Sequence, residues 1–323
     1  MPSRSFLQYL VISLKGIAMG AADVVPGVSG GTIAFISGIY EELITTIHQL
    51  DFGFFKHWKK EGFKTAWKTY NLSFLLALFL GIAISILSLA KLITWLLEAY
   101  PIEVWSFFFG LVIASILYVG RQITRWNMKA VLALVLAIAL SYFITIANPL
   151  GASNSLFFLF FAGFIAIIAM ILPGISGAFI LLLLGAYAIV VGTISNFIES
   201  ITSLNFDLFK KSILEMIVFS IGALVGLKTF SRVLNWMFAN HKNTTLAVLT
   251  GFMIGALNKI WPWKKVDSYR IDSHGESVPF IDHSVLPGQF EGEPLMMSAL
   301  LFVVLGFLSI FLLERLAIQK RAT

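Results

Sequence analysis

This sequence contains the stretch Pro26-Gly27-Val28-Ser29-Gly30 a second time, nearly unchanged, as Pro173-Gly174-Ile175-Ser176-Gly177. Each copy joins two apolar segments with no charged loop between them. Proline and glycine interrupt a helix, and a serine that follows them is a frequent first residue of the next helix. Each copy therefore predicts a helical hairpin whose tip stays inside a membrane.

The chain as a whole has the composition of a membrane protein. Hydrophobic residues make up 58% of its 323 residues, charged residues 12%, and the mean hydropathy is +0.89. Because soluble proteins carry about 25% charged residues, a soluble enzyme, a nucleic-acid binder and a secreted module are excluded as main interpretations. Apolar segments lie at 6–25, 30–47, 72–97, 104–120, 130–147, 156–172, 177–194, 213–238, 246–260 and 295–313. Since isolated strands cannot satisfy their backbone in lipid, we predict an all-α polytopic membrane protein.

The match between the two stretches extends into a tandem duplication. Further pairs follow downstream in each half: Gly81 with Gly222, Lys91 with Arg232, Trp95 with Trp236 and Gly110 with Gly251. Each half contains one membrane-embedded hairpin and three further transmembrane helices, so it crosses the bilayer an odd number of times. An odd number places the halves in opposite orientations. We predict an inverted-topology repeat with halves 1–150 and 151–323, the second interrupted by an external polar insertion at about 264–294.

Basic residues indicate how the chain lies in the membrane. Lysines cluster between His48 and Tyr70, and Arg121, Arg125 and Lys129 follow in the next loop but one. Because cytoplasmic loops carry an excess of Lys and Arg, both loops are predicted to be cytoplasmic, and alternation from them places both termini inside. The same rule explains most of the net charge of +6.

The tips are the main candidate for a binding site. A helix that begins inside the membrane directs free N–H groups and the positive end of its dipole at that point, which favours a phosphate or a carboxylate. Glycine after the serine lets a bulky group approach the backbone. We predict phosphate-binding residues around both tips: Ser29, Gly30, Gly31, Thr32, Ser176 and Gly177. The alternative is a plain tight turn in which each serine caps a helix.

Three charged residues inside apolar segments extend this candidate site. Asp23 lies three residues before the first tip, and Met170 occupies the equivalent place in the second half. A buried carboxylate is costly in a bilayer, so we predict that Asp23 couples transport to protons or sodium, or else hydrogen-bonds the tip to hold its shape. Lys91 and Arg232 are repeat-related and lie near opposite membrane faces in an inverted repeat. They are predicted to receive the phosphate on either side, or to serve as ordinary interfacial anchors.

The sequence gives little indication of a metal, thiol or nucleotide-binding site. The sequence has no cysteine, its five histidines show no metal-ligand spacing, and no Walker A or dinucleotide fingerprint occurs. We therefore predict no metal, no cofactor and no nucleic-acid partner.

Two motifs resemble the signature of the PopT-type polyprenyl-phosphate transporters: Gly20-Ala21-Ala22-Asp23-Val24-Val25-Pro26-Gly27-Val28-Ser29-Gly30-Gly31-Thr32, and Gly38-Ile39-Tyr40-Glu41-Glu42-Leu43. The second hairpin and the length agree as well, so the resemblance covers the chain except the polar insertion. It implies a flippase in a prokaryotic plasma (inner) membrane that returns undecaprenyl phosphate, the lipid carrier of envelope polymers, from the outer to the inner leaflet.

Two rival functions remain open at this stage. Undecaprenyl pyrophosphate phosphatases also carry Pro-Gly-x-Ser tips in inverted hairpins, but an arginine follows their serine and membrane-embedded glutamates accompany it. Here Gly30 and Gly177 stand at that position, which disfavours phosphoryl transfer and an enzyme, because that reaction depends on charge stabilisation. The other rival is a proton-coupled small-anion transporter.

Overall fold

A computed structural model describes residues 4–25, 28–51, 53–151, 153, 155–271 and 277–319. Two residues of the first tip, Pro26 and Gly27, lie outside the described residues. The first half contains α1 (Phe6–Val24), α2 (Gly30–Ile36), α3 (Tyr40–Gln49), α4 (Gly53–Glu61), α5 (Phe63–Thr69), α6 (Leu72–Ala99), α7 (Pro101–Gly120) and α8 (Met128–Ile146). The second half contains α9 (Leu156–Ile171), α10 (Gly177–Leu183), α11 (Tyr187–Thr202), α12 (Phe206–Asn240), α13 (Lys242–Ala256), strands β1 (Lys264–Ile271) and β2 (Ser277–Ser284), a 3-10 turn at Pro287–Gln289, and α14 (Met296–Gln319).

The helices confirm a polytopic membrane protein. Among the described residues, five helices are long and apolar enough to cross a bilayer: α1, the first part of α6, α7, α8 and α12. The bent pair α10 and α11 raises this number to six if it is counted as one span, and α9 and α14 are shorter apolar helices. Many large apolar side chains point outward, among them Leu87, Phe157 and Met297. Such a surface needs lipid around it.

Long helices pack in four close pairs through glycine. In α1 and α6, Gly16 lies against the backbone of Leu78 and Gly20 against that of Ile82. Contact positions rise together along both helices, so the two helices run parallel. The same glycine-mediated packing joins α9 with α12, α8 with α13, and α7 with α14. Glycine permits this approach because it has no side chain to hold the backbones apart.

The second arm of each hairpin differs from the prediction. The segments 30–47 and 177–194 were predicted as single helices, but each is broken, between α2 and α3 and between α10 and α11. Gly38 and Gly185 occupy the breaks with φ of +72° and +71°, a conformation that favours glycine. The bend between α10 and α11 is 106°. At the first break, the Lys15 ammonium donates a hydrogen bond to the Ser37 carbonyl at 2.5 Å.

Two polar segments also have more structure than the sequence indicated. The basic loop between His48 and Tyr70 contains the short helices α4 and α5. The insertion at 264–294, predicted as a polar cap, forms an antiparallel hairpin of β1 and β2, hereafter the β-hairpin. It is the exception to the all-α prediction among the described residues. Its base is fixed where the Trp261 and Trp263 indoles donate to the carbonyls of Val285 and Pro294, both at 2.8 Å.

Candidate functional site

At the first tip, neighbouring side chains cap the backbone amides at the start of α2. The amide of Gly30 donates to Asp23 Oδ1 at 2.6 Å, and the amide of Gly31 donates to Ser29 Oγ at 3.1 Å. A carboxylate at the start of α2 is favoured by the free N–H groups there. Asp23 therefore occupies the position where the sequence predicted that the start of α2 would receive an anion.

The second tip lacks an equivalent cap. Ser176 precedes α10, but its side chain makes no capping hydrogen bond. Met170, at the position equivalent to Asp23, offers no carboxylate. Gly174 turns the chain with φ of +90°, and its amide donates to Thr32 Oγ1 in the first hairpin at 3.1 Å. The two tips, which the sequence treated as equivalent, thus differ in how they are held.

The tips are in direct contact with each other. Ser29 Oγ donates to the carbonyls of Leu172 and Met170 at 3.3 and 3.4 Å, and the Tyr40 hydroxyl donates to the Ile171 carbonyl at 3.1 Å. Ser29 is 1% exposed, so these bonds are shielded from water. Buried hydrogen bonds of this kind are expensive to leave unmade. These contacts between the two hairpins are hereafter the tip junction.

Glycine at the first tip has a packing role. A Cβ atom on Gly30 would lie 2.5 Å from Asp23 Oδ2, and one on Gly31 would lie 2.8 Å from the Ile171 carbonyl oxygen. At the second tip, a Cβ on Gly177 would lie 2.9 Å from the Ala166 carbonyl oxygen. All three positions therefore need glycine for the closed tips, whatever approaches them.

Lys91 and Arg232 lie away from the tips. Both side chains are exposed, on α6 and α12, and no hydrogen bond or ion pair among the described residues joins either one to a tip residue. Arg232 instead lies near His48 at the end of α3. Burial lowers the pKa of His48, and the charges of Lys228 and Arg232 on α12 lower it further. The structure thus brings Asp23 and the tip residues together and leaves these two bases outside the group.

A polar cavity reaches the tip junction from one end of the molecule. It has a volume of about 690 Å³ and is hereafter the Arg121 cavity. Its polar lining comes from the start of α3, the end of α7 and the start of α13: Tyr40, Glu41, Glu42, Arg121, Gln122 and Lys242. Through Tyr40, which bonds Ile171, the cavity ends at the tip junction.

Within the described part of the chain, the charges in this cavity leave one base without a counterion. Glu41 pairs with Lys242 at 2.8 Å, and Glu42 pairs with Arg4 at 2.7 Å. The Arg121 guanidinium makes no ion pair or side-chain hydrogen bond with any residue that the structure describes. A planar guanidinium with five donors is well suited to bind phosphate. The Arg121 cavity can therefore accept an anion without breaking an existing ion pair.

A second basic cluster lies at the other end of the molecule. Lys259 and Lys264, hereafter the lysine pair, follow α13. The Lys264 ammonium lies 3.5 Å from the centre of the Trp105 ring, near the start of α7, whereas Arg121 follows the end of that helix. With a rise of about 1.5 Å per residue, the two basic sites are roughly 24 Å apart along α7.

The lysine pair predicts a pH dependence of the β-hairpin. Burial lowers the pKa of Lys264 to about 7, against the opposing charge of Asp282 and with a further contribution from Lys259. If the β-hairpin opens and exposes Lys264, its pKa returns toward 10.5. Between these values the open form binds more protons, so the free energy of opening rises with pH, by up to about 1.4 kcal/mol per unit. Below that window both forms are protonated and the effect vanishes.

Hydrogen exchange measures this effect directly. After correction for intrinsic rates, the amides of β2 should exchange more slowly at about pH 8.5 than at about pH 7. A Lys264→Gln variant cannot titrate at this position and should lose the difference. An unchanged pH dependence in that variant would show that another group is responsible.

The fold and these sites define a class: a multi-pass helical membrane protein in which two helical hairpins contact each other at their tips. Residues 19–278 match the family described as VCA0040-like, undecaprenyl phosphate translocase-like. The chain belongs to this family.

Two relatives support the same assignment. The chain is similar to a polyprenyl-phosphate transporter of Vibrio cholerae serotype O1, with 45% identity over 285 residues that cover 88% of each chain. It is also similar to a polyprenyl-phosphate transporter of Staphylococcus aureus, with 33% identity over 261 residues, 77% of this chain and 85% of the relative. No solved structure gives a significant match. These names agree with the prediction of a transporter and disfavour the phosphatase alternative.

A binding site at Arg121 or at the lysine pair was not predicted from the sequence. Arg121 was assigned to a cytoplasmic loop by the charge rule, Lys264 to the polar insertion, and Lys259 to the end of the apolar segment 246–260. One signal pointed to the Arg121 cavity: Tyr40 and Tyr187 match in the repeat, and Tyr40 proves to lie between the cavity and the tip junction.

Proposed function

We propose that this protein carries polyprenyl phosphate from the outer to the inner leaflet of a prokaryotic plasma membrane, for reuse in the synthesis of envelope polymers. Family membership and the names of both relatives support this function. The observation that carries it is the Arg121 cavity, which ends at the tip junction and holds a guanidinium that pairs with no described residue. The phosphate headgroup moves through the protein while the prenyl chain stays in lipid.

The proposed cycle alternates about the tip junction. In this conformation the Arg121 cavity is open on one side and the hydrogen bonds of Ser29, Thr32 and Tyr40 close the other. When the halves rock, the tips separate. The hydroxyl and amide groups at the parted tips, those of Ser29, Thr32, Ser176 and Gly177 among them, then contact the passing phosphate. The amides of Gly30 and Gly31 keep their caps within the first tip. Lys91 lies toward the end of α6 and Arg232 toward the end of α12, so these bases flank the path near opposite faces.

An inverted repeat of 1–150 and 151–323 provides the geometry for such a cycle. In each half one helix, a tip and two helices joined at a glycine are followed by three further helices, and the first half carries α4 and α5 in addition before α6. Two features support the inverted repeat. The first helix of each half packs parallel to a later helix of the same half, α1 with α6 and α9 with α12. The last two helices of each half pack instead against the other half, α7 with α14 and α8 with α13. Transporters built this way bind their substrate where the two repeats meet.

Transport and binding in proteoliposomes test this function. Purified protein should move polyprenyl phosphate between leaflets, and a small organic phosphate should compete weakly. Competition at equal concentrations would favour the small-anion transporter instead. Release of inorganic phosphate from polyprenyl pyrophosphate would support the phosphatase.

Single-cysteine labelling tests the proposed orientation, since the chain has no native cysteine. Lys60, on α4, belongs to the basic segment proposed to be cytoplasmic. Tyr269, on β1, is 63% exposed and belongs to the insertion proposed to be external. A membrane-impermeant maleimide added to intact cells should label Tyr269→Cys and leave Lys60→Cys unlabelled until the cells are opened. Labelling of both variants in intact cells would contradict the inverted orientation.

A further inference from the structure

The lysine pair is enclosed by aromatic rings and by the β-hairpin. The Lys259 ammonium lies 4.8 Å from the centre of the Phe179 ring, on α10 of the second hairpin, and the Lys264 ammonium lies over Trp105. Their side chains are 13% and 11% exposed. Two ammonium groups this close and this buried require an anion.

A carboxylate of the β-hairpin now supplies that anion. Asp282, on β2, lies 2.6 Å from the Lys259 ammonium and 3.9 Å from that of Lys264. Burial favours the neutral form of Asp282, but the two lysines outweigh this effect and lower its pKa. One carboxylate neutralises only one of the two positive charges, so the cluster retains an excess of one when both lysines are protonated.

A phosphate monoester matches the cluster better than Asp282 does. Above its second pKa of about 6 it carries nearly two negative charges and three acceptor oxygens. It can therefore neutralise both ammonium groups at once and keep Lys264 protonated. A phosphodiester carries a single charge and has no such advantage over the carboxylate.

The position of the cluster fits the arrival of a lipid headgroup. It lies beside Trp261 and Trp263, residues of the type that sits at the surface of a bilayer. It is also at the end of α7 opposite the Arg121 cavity. A headgroup bound here would have the tip junction between itself and that cavity.

We propose that the lysine pair is a receiving site for a phosphate monoester headgroup, and that the Asp282 carboxylate occupies this site until the headgroup replaces it. The proposal deepens the proposed function and rests on it. The β-hairpin then selects for monoester dianions, because weaker anions do not displace Asp282.

Binding of hexadecyl phosphate to the full-length protein in nanodiscs, at about pH 7.5, tests the site. Asp282→Asn removes the competing carboxylate and should tighten binding about tenfold, whereas Lys259→Gln should weaken it about tenfold or more. Glu291→Gln is the matched control, because this substitution removes the same charge from the same polar insertion. Glu291 pairs with the exposed Lys265 at 2.6 Å and not with the lysine pair. The substitution should change binding less than about twofold. Dihexadecyl phosphate should bind wild type much more weakly than the monoester, and this difference should become smaller in Asp282→Asn, where no carboxylate has to be displaced.

A double variant guards against a folding defect, because Asp282→Asn leaves both lysines without a carboxylate. Lys259→Gln combined with Asp282→Asn lowers the number of buried charges and should still bind the monoester more weakly than wild type. If wild type binds hexadecyl phosphate and all Lys259 and Asp282 variants bind it equally well, the receiving site is elsewhere, while the proposed function stands. Failure of wild type to bind or move any polyprenyl phosphate would instead remove the proposed function itself.

Discussion

Replacing Arg121 by glutamate should slow the translocation of polyprenyl phosphate by at least about 100-fold. A hydrogen bond to a charged group contributes about 1.5–3 kcal/mol, and reversal of the charge adds repulsion of the phosphate. Because Arg121 makes no ion pair with a described residue, the protein should remain as thermally stable as wild type. The initial rate of lipid movement in proteoliposomes measures the effect.

Arg125→Glu provides the matched control for this prediction. Arg125 lies four residues further on, is exposed and does not line the Arg121 cavity, so the same change in net charge should alter the rate less than about twofold. Arg121→Lys keeps the charge but loses the planar donor geometry and should fall between the two. If Arg121→Glu transports at the wild-type rate, the headgroup does not pass through this cavity.

The helical hairpins could be predicted from the sequence because the residues that end one helix and start the next are adjacent in the chain. Proline and glycine followed by serine mark a helix boundary wherever they occur, and the repeat supplied a second copy of each residue. The breaks at Gly38 and Gly185 were not predicted. A single glycine in an apolar run is compatible with a continuous helix, and only the positive φ distinguishes the break. The matching positions of the two glycines in the repeat were the available sign.

The candidate site could be predicted only in part because its contacts join distant parts of the chain. Asp23 and Gly30 are close in sequence, so a hydrogen bond between them was among the alternatives. To recognise the Arg121 cavity and the lysine pair as sites, one must know which charged side chains form ion pairs in the folded protein. Rules that count basic residues by loop cannot distinguish Arg121, which pairs with none of the residues described, from Lys242, which binds Glu41.

The two tips are unequal in a way that suits a gate. The first tip has Asp23 and Ser29 as caps, whereas Ser176 makes no cap and Gly174 relies on Thr32 of the other hairpin. Separation of the tips therefore removes partners from the second tip and leaves the internal bonds of the first one intact. We infer that the second hairpin is the more mobile element of the cycle.

Asp23→Asn should leave a folded protein that binds polyprenyl phosphate but no longer responds to an imposed pH or sodium gradient. The amide oxygen of asparagine can still accept the hydrogen bond that Gly30 now donates at 2.6 Å, so the cap of α2 is retained. What the variant loses is the charge. An ionised carboxylate next to the first tip repels the phosphate, and a bound proton or sodium ion removes that repulsion, so we propose that one cation accompanies each headgroup.

Asp23→Ala separates this coupling role from the structural one. Alanine removes the acceptor as well as the charge, which leaves the buried Gly30 amide without a partner and should cost about 1–3 kcal/mol of stability. Thermal unfolding and gradient-driven transport should therefore differ between the two variants: Asp23→Asn melts near wild type and is insensitive to the gradient, whereas Asp23→Ala melts lower. If Asp23→Asn instead keeps gradient-dependent transport, the carboxylate acts only as a cap, and coupling must be sought at Lys91 and Arg232.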